Sequence, residues 1–186
     1  MMLEDFGIWL QNPCETLETP YLTRNENYFI GYIDDSTIDS DTLPDEYAVL
    51  MQNSPSEQNA WNPNSTLFRF QIRIYANNDF QSGITFAHNI MRSFHSIKGA
   101  VIPETLYTYD SVTDDYTLSY TDYEWFTGGF TVDGPYNIGI DRKGRFIFAL
   151  NVSFLAHKRL STVNPWPEGY IPIYTIEELQ LIGNDS

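Results

Sequence analysis

Gly134-Pro135-Tyr136-Asn137-Ile138-Gly139-Ile140-Asp141-Arg142-Lys143-Gly144-Arg145 runs directly into Phe146-Ile147-Phe148-Ala149-Leu150-Asn151-Val152-Ser153-Phe154, and the whole reads as a strand, a tight turn and a long strand. Asp141 and Gly144 supply the turn chemistry, because Asp bonds nearby backbone amides and glycine tolerates positive φ. Beyond Arg145 the apolar residues fall at every second position: Phe146, Phe148, Leu150, Val152, Phe154 and Ala156. A period of two puts all of them on one side of a sheet.

A second strand with the same grammar lies upstream, at Leu67–Ala76. Phe68, Phe70, Ile72, Ile74 and Ala76 point one way, and Leu67, Arg69, Gln71, Arg73 and Tyr75 point the other. One apolar and one polar, basic face predict a half-buried sheet, with the arginines at solvent or at a neighbouring subunit. Asn77, Asn78 and Asp79 offer a helix N-cap. Phe80, Ile84, Ala87, Met91 and Phe94 then recur at helical spacing and predict an amphipathic helix that ends near Lys98-Gly99.

Around this centre, residues 1–12 predict a short amphipathic helix with Leu3, Phe6, Trp9 and Leu10 on one face, weakened by Gly7 and stopped by Pro13. Tyr28–Ile33 and Glu46–Gln52 read as strands, separated by a loop rich in Asp. Val101–Tyr109 and Tyr116–Tyr123 predict a hairpin about Asp114-Asp115, and Glu124–Val132 a strand with a bulge at Gly128-Gly129. Residues 164–186 predict a C-terminal arm, extended through Asn164-Pro165-Trp166-Pro167, with a short helix opened by the capping box Thr175-Ile176-Glu177-Glu178. The expected class is α+β: a twisted, mostly antiparallel β-sheet with one main α-helix packed on one face, a short N-terminal helix and the C-terminal arm.

The 186 residues suit one domain with loops and arms, and a 42% hydrophobic content allows a sizeable core. No run of about 18 apolar residues occurs, so no transmembrane helix is expected. No basic stretch followed by an apolar one opens the chain, so no secretory leader is expected. Cys14 is the sole cysteine and has no partner for an internal disulfide, which fits a reducing compartment. The formal net charge of −15 excludes tight wrapping of DNA by phosphate neutralisation. It serves solubility, or it builds a wall along which a polyanion slides without sticking.

Catalysis requires a nucleophile beside a base, a metal cluster or paired carboxylates in a cleft. His88 and His95 stand seven residues apart on the main helix, too far to share one metal, and His157 ends the long strand beside Lys158 and Arg159. Asp34, Asp35, Asp39, Asp41, Asp45 and Glu46 lack the glycine and the twelfth-position glutamate of a calcium loop. No GxSxG, GxxxxGK[ST] or GxGxxG motif is present. The expectation is a protein that is not an enzyme and that binds no cofactor or metal.

Phe70-Gln71-Ile72-Arg73-Ile74-Tyr75-Ala76 heading a helix with Ala87 on its buried face, followed by Gly134-Pro135 and Ile138-Gly139-Ile140-Asp141-Arg142-Lys143-Gly144-Arg145 and a strand through Asn151, resembles a known family. It is similar to the minor capsid and tail-terminator (tail-completion) proteins of long-tailed bacteriophages. There a vQIxxR-like strand precedes a helix, and a P…GxDxxGR hairpin precedes an Nf-like strand. The resemblance covers roughly residues 66–157. It implies a domain over 1–163 with a twisted sheet and helices on one side, followed by the arm. It implies a hexameric ring, a homo-oligomer, that caps the tail tube at its head-proximal end, stops tube polymerisation and joins the tail to head-completion or connector proteins. DNA is passing cargo and no membrane is involved. The protein is then expected in the virion tail or neck, after assembly in the host cytoplasm.

On that reading, Arg69 and Arg73 pair with a neighbour's carboxylates, the Arg142-Lys143 turn reaches an adjacent ring, and Trp166 anchors the arm on the next subunit. Asp34, Asp35, Asp39, Asp41 and Asp45 line an acidic channel or its rim, where they repel phosphate over a range that salt limits to about 10 Å. The chain departs from compact members in its loops at 34–46 and 53–65, its aromatic segment at 104–126 and its arm. Two alternatives stand beside the terminator. One is a head-to-tail connector or stopper of the neck. The other, from a different class, is a carbohydrate-binding β-rich module that presents Tyr107, Tyr109, Tyr120, Tyr123 and Trp125 to sugars.

Overall fold

β-Strand alternation organises a computed structural model of the chain, which describes residues 2–16, 22–31, 43–53, 56–58, 64–76, 79–95, 97–111, 115–161 and 173–174. The elements in order are α1 (Met2–Thr16), β1 (Tyr28–Ile30), β2 (Glu46–Gln52), β3 (Glu57–Gln58), β4 (Ser65–Ala76), α2 (Phe80–His95), β5 (Gly99–Asp110), β6 (Asp115–Thr127), β7 (Thr131–Ile140), β8 (Phe146–Leu160) and β9 (Ile173–Tyr174). They form one sheet in the order β1-β2-β4-β8-β6-β5-β9, with β3 beside β4 and β7 beside β8. Every pairing is antiparallel except β1 with β2. The fold is α+β.

β4 and β8 are the spine, matched from Ser65↔His157 to Ala76↔Phe146 without a slip. Phe70, Ile72 and Ile74 of β4 and Phe148, Leu150 and Val152 of β8 are buried on one side, as the two-residue period predicts. Both helices cover that side. α1 adds Phe6, Trp9 and Leu10, and α2 adds Phe86, Ala87, Ile90 and Phe94. Phe6 stacks on Phe70 at 4.9 Å, so the N-terminal helix is a full partner in the core. It also runs on through Pro13 to Thr16, where a stop was expected. Proline removes its own amide donor, but φ is already helical and the backbone beyond it can continue.

The buried stripe of α2 keeps Ala87 and Phe94 of the expected one, with Ile84 and Met91 packed at its border, but its centre is shifted. Gly83, Phe86, Ala87, Ile90, Ser93 and Phe94 face the core, while Phe80 is 42% exposed. Gly83 explains the turn of the helix: a Cβ there would sit 2.5 Å from Ala76 Cβ, so only glycine permits this approach. Asp79 caps the helix, its Oδ1 accepting the amide of Gln81 at 2.9 Å. Asn77 and Asn78 lie outside the described residues. Gly99 does not end the helix but begins β5.

Gly128-Gly129 breaks the expected Glu124–Val132 strand in two. β6 pairs β8 over Tyr123–Thr127, and β7 takes over the same edge of β8 from Thr131. β5 runs beside β6 and not beside β7, so the lane beside β7, in line with β5, holds no described strand. Of the C-terminal arm only Ile173 and Tyr174 are described, paired with Ala100 and Gly99. Among the described residues no helix is long and apolar enough to cross a membrane.

Candidate interaction surface

The side of the sheet away from the helices is polar at its centre. Arg69 is ion-paired with Glu57 of β3, which holds the Glu57 carboxyl below its ordinary range. Arg73 Nε donates to Gln71 Oε1 at 2.8 Å, and Gln71 Nε2 donates to Asn151 Oδ1 at 3.1 Å. The two arginines expected to reach a neighbour therefore already engage groups of their own chain. Ser65, fully buried, shares a 2.5 Å hydrogen bond with Nδ1 of exposed His157. Among the described residues no three His, Cys, Asp or Glu side chains are grouped to hold a metal ion.

The β7–β8 turn is built as the Asp–Gly chemistry predicts. Asp141 Oδ1 accepts the amides of Lys143 and Arg145, each at 2.9 Å, and Gly144 has φ +81°. Arg142 and Lys143 are exposed at its tip. Arg145, only 5% exposed, turns inward. Its Nε donates to Asp141 Oδ2 at 2.6 Å, and its guanidinium carbon lies 5.2 Å from the Tyr47 ring and 5.9 Å from the Tyr75 ring. The two rings stack at 4.7 Å. Burial pushes the Tyr47 phenol well above its usual pKa, which keeps it neutral. Sequence spacing placed Arg145 in the turn motif but held no sign of this socket, because its walls come from β2 and β4.

At the far end of the sheet the β5–β6 hairpin leaves β8 behind. Thr105–Asp110 pair only with Asp115–Tyr120, so the ribbon projects about 20 Å past Tyr123, the last residue of β6 on β8. Leu106 and Tyr109 are 54% and 50% exposed on this arm. Its base is pinned by α1: the amide and hydroxyl of Thr105 donate to Asp5 Oδ1 at 2.8 and 2.5 Å. Lys158 bonds Glu104 at 2.7 Å and lies 4.8 Å from the Tyr123 ring and 5.6 Å from the Trp125 ring. Trp125 also packs edge-on against Phe68 at 5.2 Å. Those two rings are thus partly engaged inside the molecule. Arg159 bonds fully buried Glu124 at 2.7 Å. None of these partnerships was visible from spacing, since each joins segments far apart in the chain.

Between these ends lies an edge with no partner among the described residues. Tyr136, Ile138 and Ile140 of β7 are 46%, 48% and 59% exposed. A cleft of about 580 Å³ opens at the start of this edge, between His95 and Lys98 after α2 and Gly128, Gly129, Phe130 and Thr131. A Cβ on either glycine would meet nothing within 4 Å. Asp45 is exposed ahead of β2. Asp34, Asp35, Asp39, Asp41 and Trp166 lie outside the described residues.

No known protein-family model and no curated protein matches this chain.

Proposed function

We propose that this chain is a structural protein of a long-tailed bacteriophage virion, a tail terminator whose copies close into a hexameric ring at the head-proximal end of the tail. In this role it stops tail-tube polymerisation, joins the tube to head-completion proteins and lets DNA pass through. It performs no reaction and uses no cofactor. One observation carries the reading: the segments behind the resemblance converge. β4 pairs with β8, β7 pairs with β8, and α2 lies across β4, β7 and β8. Segments scattered over residues 66–157 thus make one contiguous layer, which is what a family-wide framework requires. The exposed edge and arm are further support, because a subunit of a ring needs two different surfaces.

The test has two parts. Light scattering after size exclusion, with negative-stain imaging, reads the assembly state, and a ring of six is expected. Added to polymerising tail-tube protein, the chain should cap tubes and shorten them. A monomer that leaves tube length unchanged and is absent from purified virions refutes the proposal. A ring that leaves tube length unchanged but binds the portal side favours the connector.

A further inference from the structure

We propose that the cleft after α2 is a binding site for a small phosphate monoester carried on an apolar or aromatic body. This holds whether or not copies of the chain close into a ring.

Charge singles out the place. The chain has 25 Asp and Glu among its 186 residues, yet residues 80–103 and 125–132 contain none. These two stretches meet at the cleft: one brings His95, Ile97 and Lys98, the other Gly128, Gly129 and Phe130. His95 and Lys98 are exposed there, and Arg92, also exposed, stands one turn before His95 on α2. None of the three has an ion-pair partner among the described residues, whereas Arg24, Arg69, Arg145, Lys158 and Arg159 all do. Cations near a helix C-terminus offset its dipole, but that end carries only about half a negative charge. Arg92 and Lys98 together exceed it, so a positive field remains over the cleft.

Size and lining decide the shape of the ligand. The volume of about 580 Å³ lies within the range of about 300–1,000 Å³ usual for small-molecule sites. Phe94 and Ile97 are buried and Phe130 is half-buried, so the floor is apolar. Thr131 is exposed and adds a hydroxyl to the lining. Gly128 and Gly129 keep their wall clear, because a Cβ on either would meet nothing within 4 Å and a ligand can approach the main chain closely. A cationic rim over an apolar floor suits a charged head on an apolar body.

The head is a phosphate rather than a carboxylate. A phosphate monoester carries about −1.5 to −2 near pH 7, which matches Arg92 and Lys98 together, whereas a carboxylate carries a single charge. Lysine binds phosphate as a compact point charge. Two sources carry such a group, a free small ester and the 5′ end of a nucleic-acid strand. The free ester is favoured, because a strand would bring its other phosphates against a chain with a net charge of −15.

The experiment is calorimetric titration of the full chain with phenyl phosphate at low ionic strength, and one site per chain is expected. Inorganic phosphate lacks the body and benzoate lacks the second charge, so each should bind weaker by about tenfold or more. Lys98→Gln with Arg92→Gln should weaken phenyl phosphate by about tenfold or more. Gly128→Leu puts a side chain into the open space at the cleft wall and should abolish binding while the melting temperature stays the same. Should that variant fail to fold, the Lys98 and Arg92 pair decides alone. Arg142→Gln, at the other end of β7, should leave the affinity unchanged, and an equal loss there overturns a local site. Benzoate bound as tightly as phenyl phosphate overturns the phosphate head. A 5′-phosphorylated dT strand bound as tightly overturns the choice of a free ester. No binding of phenyl phosphate, or binding that survives the cleft variants, overturns the site itself.

Discussion

Replacing Gly83 by alanine sets two effects of known size against each other. In an ordinary helix interior the change stabilises by about 0.8–1.0 kcal/mol, because alanine has less backbone freedom to lose. Here the new methyl would lie 2.5 Å from Ala76 Cβ and 2.7 Å from Phe148 Cε2. Carbon atoms prefer about 3.5–4.0 Å, so α2 must withdraw by roughly 1 Å. Ala76 Cβ is fixed to the backbone of the sheet's central pair and cannot rotate away. The withdrawal loosens Phe86, Ala87, Ile90 and Phe94 together. Overpacking of this kind costs about 1–3 kcal/mol, and a clash with a Cβ that cannot move belongs in the upper part of that range, about 2–3, so the net expectation is a loss of roughly 1–2 kcal/mol. For a domain of this size that lowers Tm by about 2–8 °C. Gly7→Ala is the control. A Cβ there meets Ile30 Cδ1, and Cγ1 at 2.8 Å, which belong to a flexible side chain on an edge strand. Ile30 can turn aside, and the change should stay within about 0.5 kcal/mol of neutral. Urea unfolding at one fixed protein concentration, followed by circular dichroism, reads both midpoints. A Gly83→Ala protein as stable as the parent, or a Gly7→Ala protein equally damaged, refutes the reasoning.

Asp141→Asn removes the carboxylate that Arg145 Nε bonds, in a pair whose side chains are only 6% and 12% exposed. Asparagine keeps an oxygen for the turn amides but leaves the buried guanidinium without that counter-charge, so a loss of about 3–5 kcal/mol is expected in urea unfolding. A loss below about 1 kcal/mol would mean that the Tyr47 and Tyr75 faces suffice. Asp5 gives a pH dependence. Burial raises its carboxyl above 3.8, so its contribution is fully present below that value and is lost as pH climbs through the raised one. Asp5→Asn keeps an acceptor for Thr105 and removes the charging step. Thermal melts should therefore show the variant gaining on the parent as pH rises from about 4 to 7, whereas parallel profiles would contradict the assignment.

The alternation of β4 and β8 was legible because both strands bury one side along their whole length. The Asp141–Gly144 turn was legible because its chemistry is local. The break at Gly128-Gly129 was not. β6 and β7 have the same strand-forming character, and only the width of β8 decides that both share its edge. The stripe of α2 was legible in Ile84, Ala87, Met91 and Phe94, which pack on the core, but its buried centre at Gly83, Phe86 and Ile90 was not, because periodicity treated Gly83 as a neutral position, whereas it is a point of close approach to the sheet. For the candidate surface, spacing located Arg69, Arg73, Arg142 and Lys143 on the correct strands and turn. It did not foresee that two of them would be engaged at home: Arg69 by Glu57 of the separate strand β3, and Arg73 by Gln71, which Asn151 of β8 holds in turn. The exposed apolar edge of β7 was hidden for the same reason: Ile138 and Ile140 alternate like core residues, and the missing lane beside them is a property of topology.

An exposed edge in an acidic protein poses a physical problem of its own. β7 carries Pro135 and two register shifts, devices that blunt an edge, yet Ile138 and Ile140 follow with no charge between them. Copies at −15 repel one another, and near 0.15 M salt that repulsion is screened beyond about 8 Å. At contact the local charges decide. Arg24, Arg69, Arg145, Lys158 and Arg159 are ion-paired within the chain and offer an incoming copy little. The cleft end of β7 differs, because Lys98 and His95 lie open beside two glycines. A copy that approaches body-first meets like charge, while an acidic surface that approaches the cleft end of β7 meets opposite charge. Electrostatics then selects orientation more than strength, and the apolar edge is used only in that orientation. The surplus of acid also keeps the edge from pairing at random.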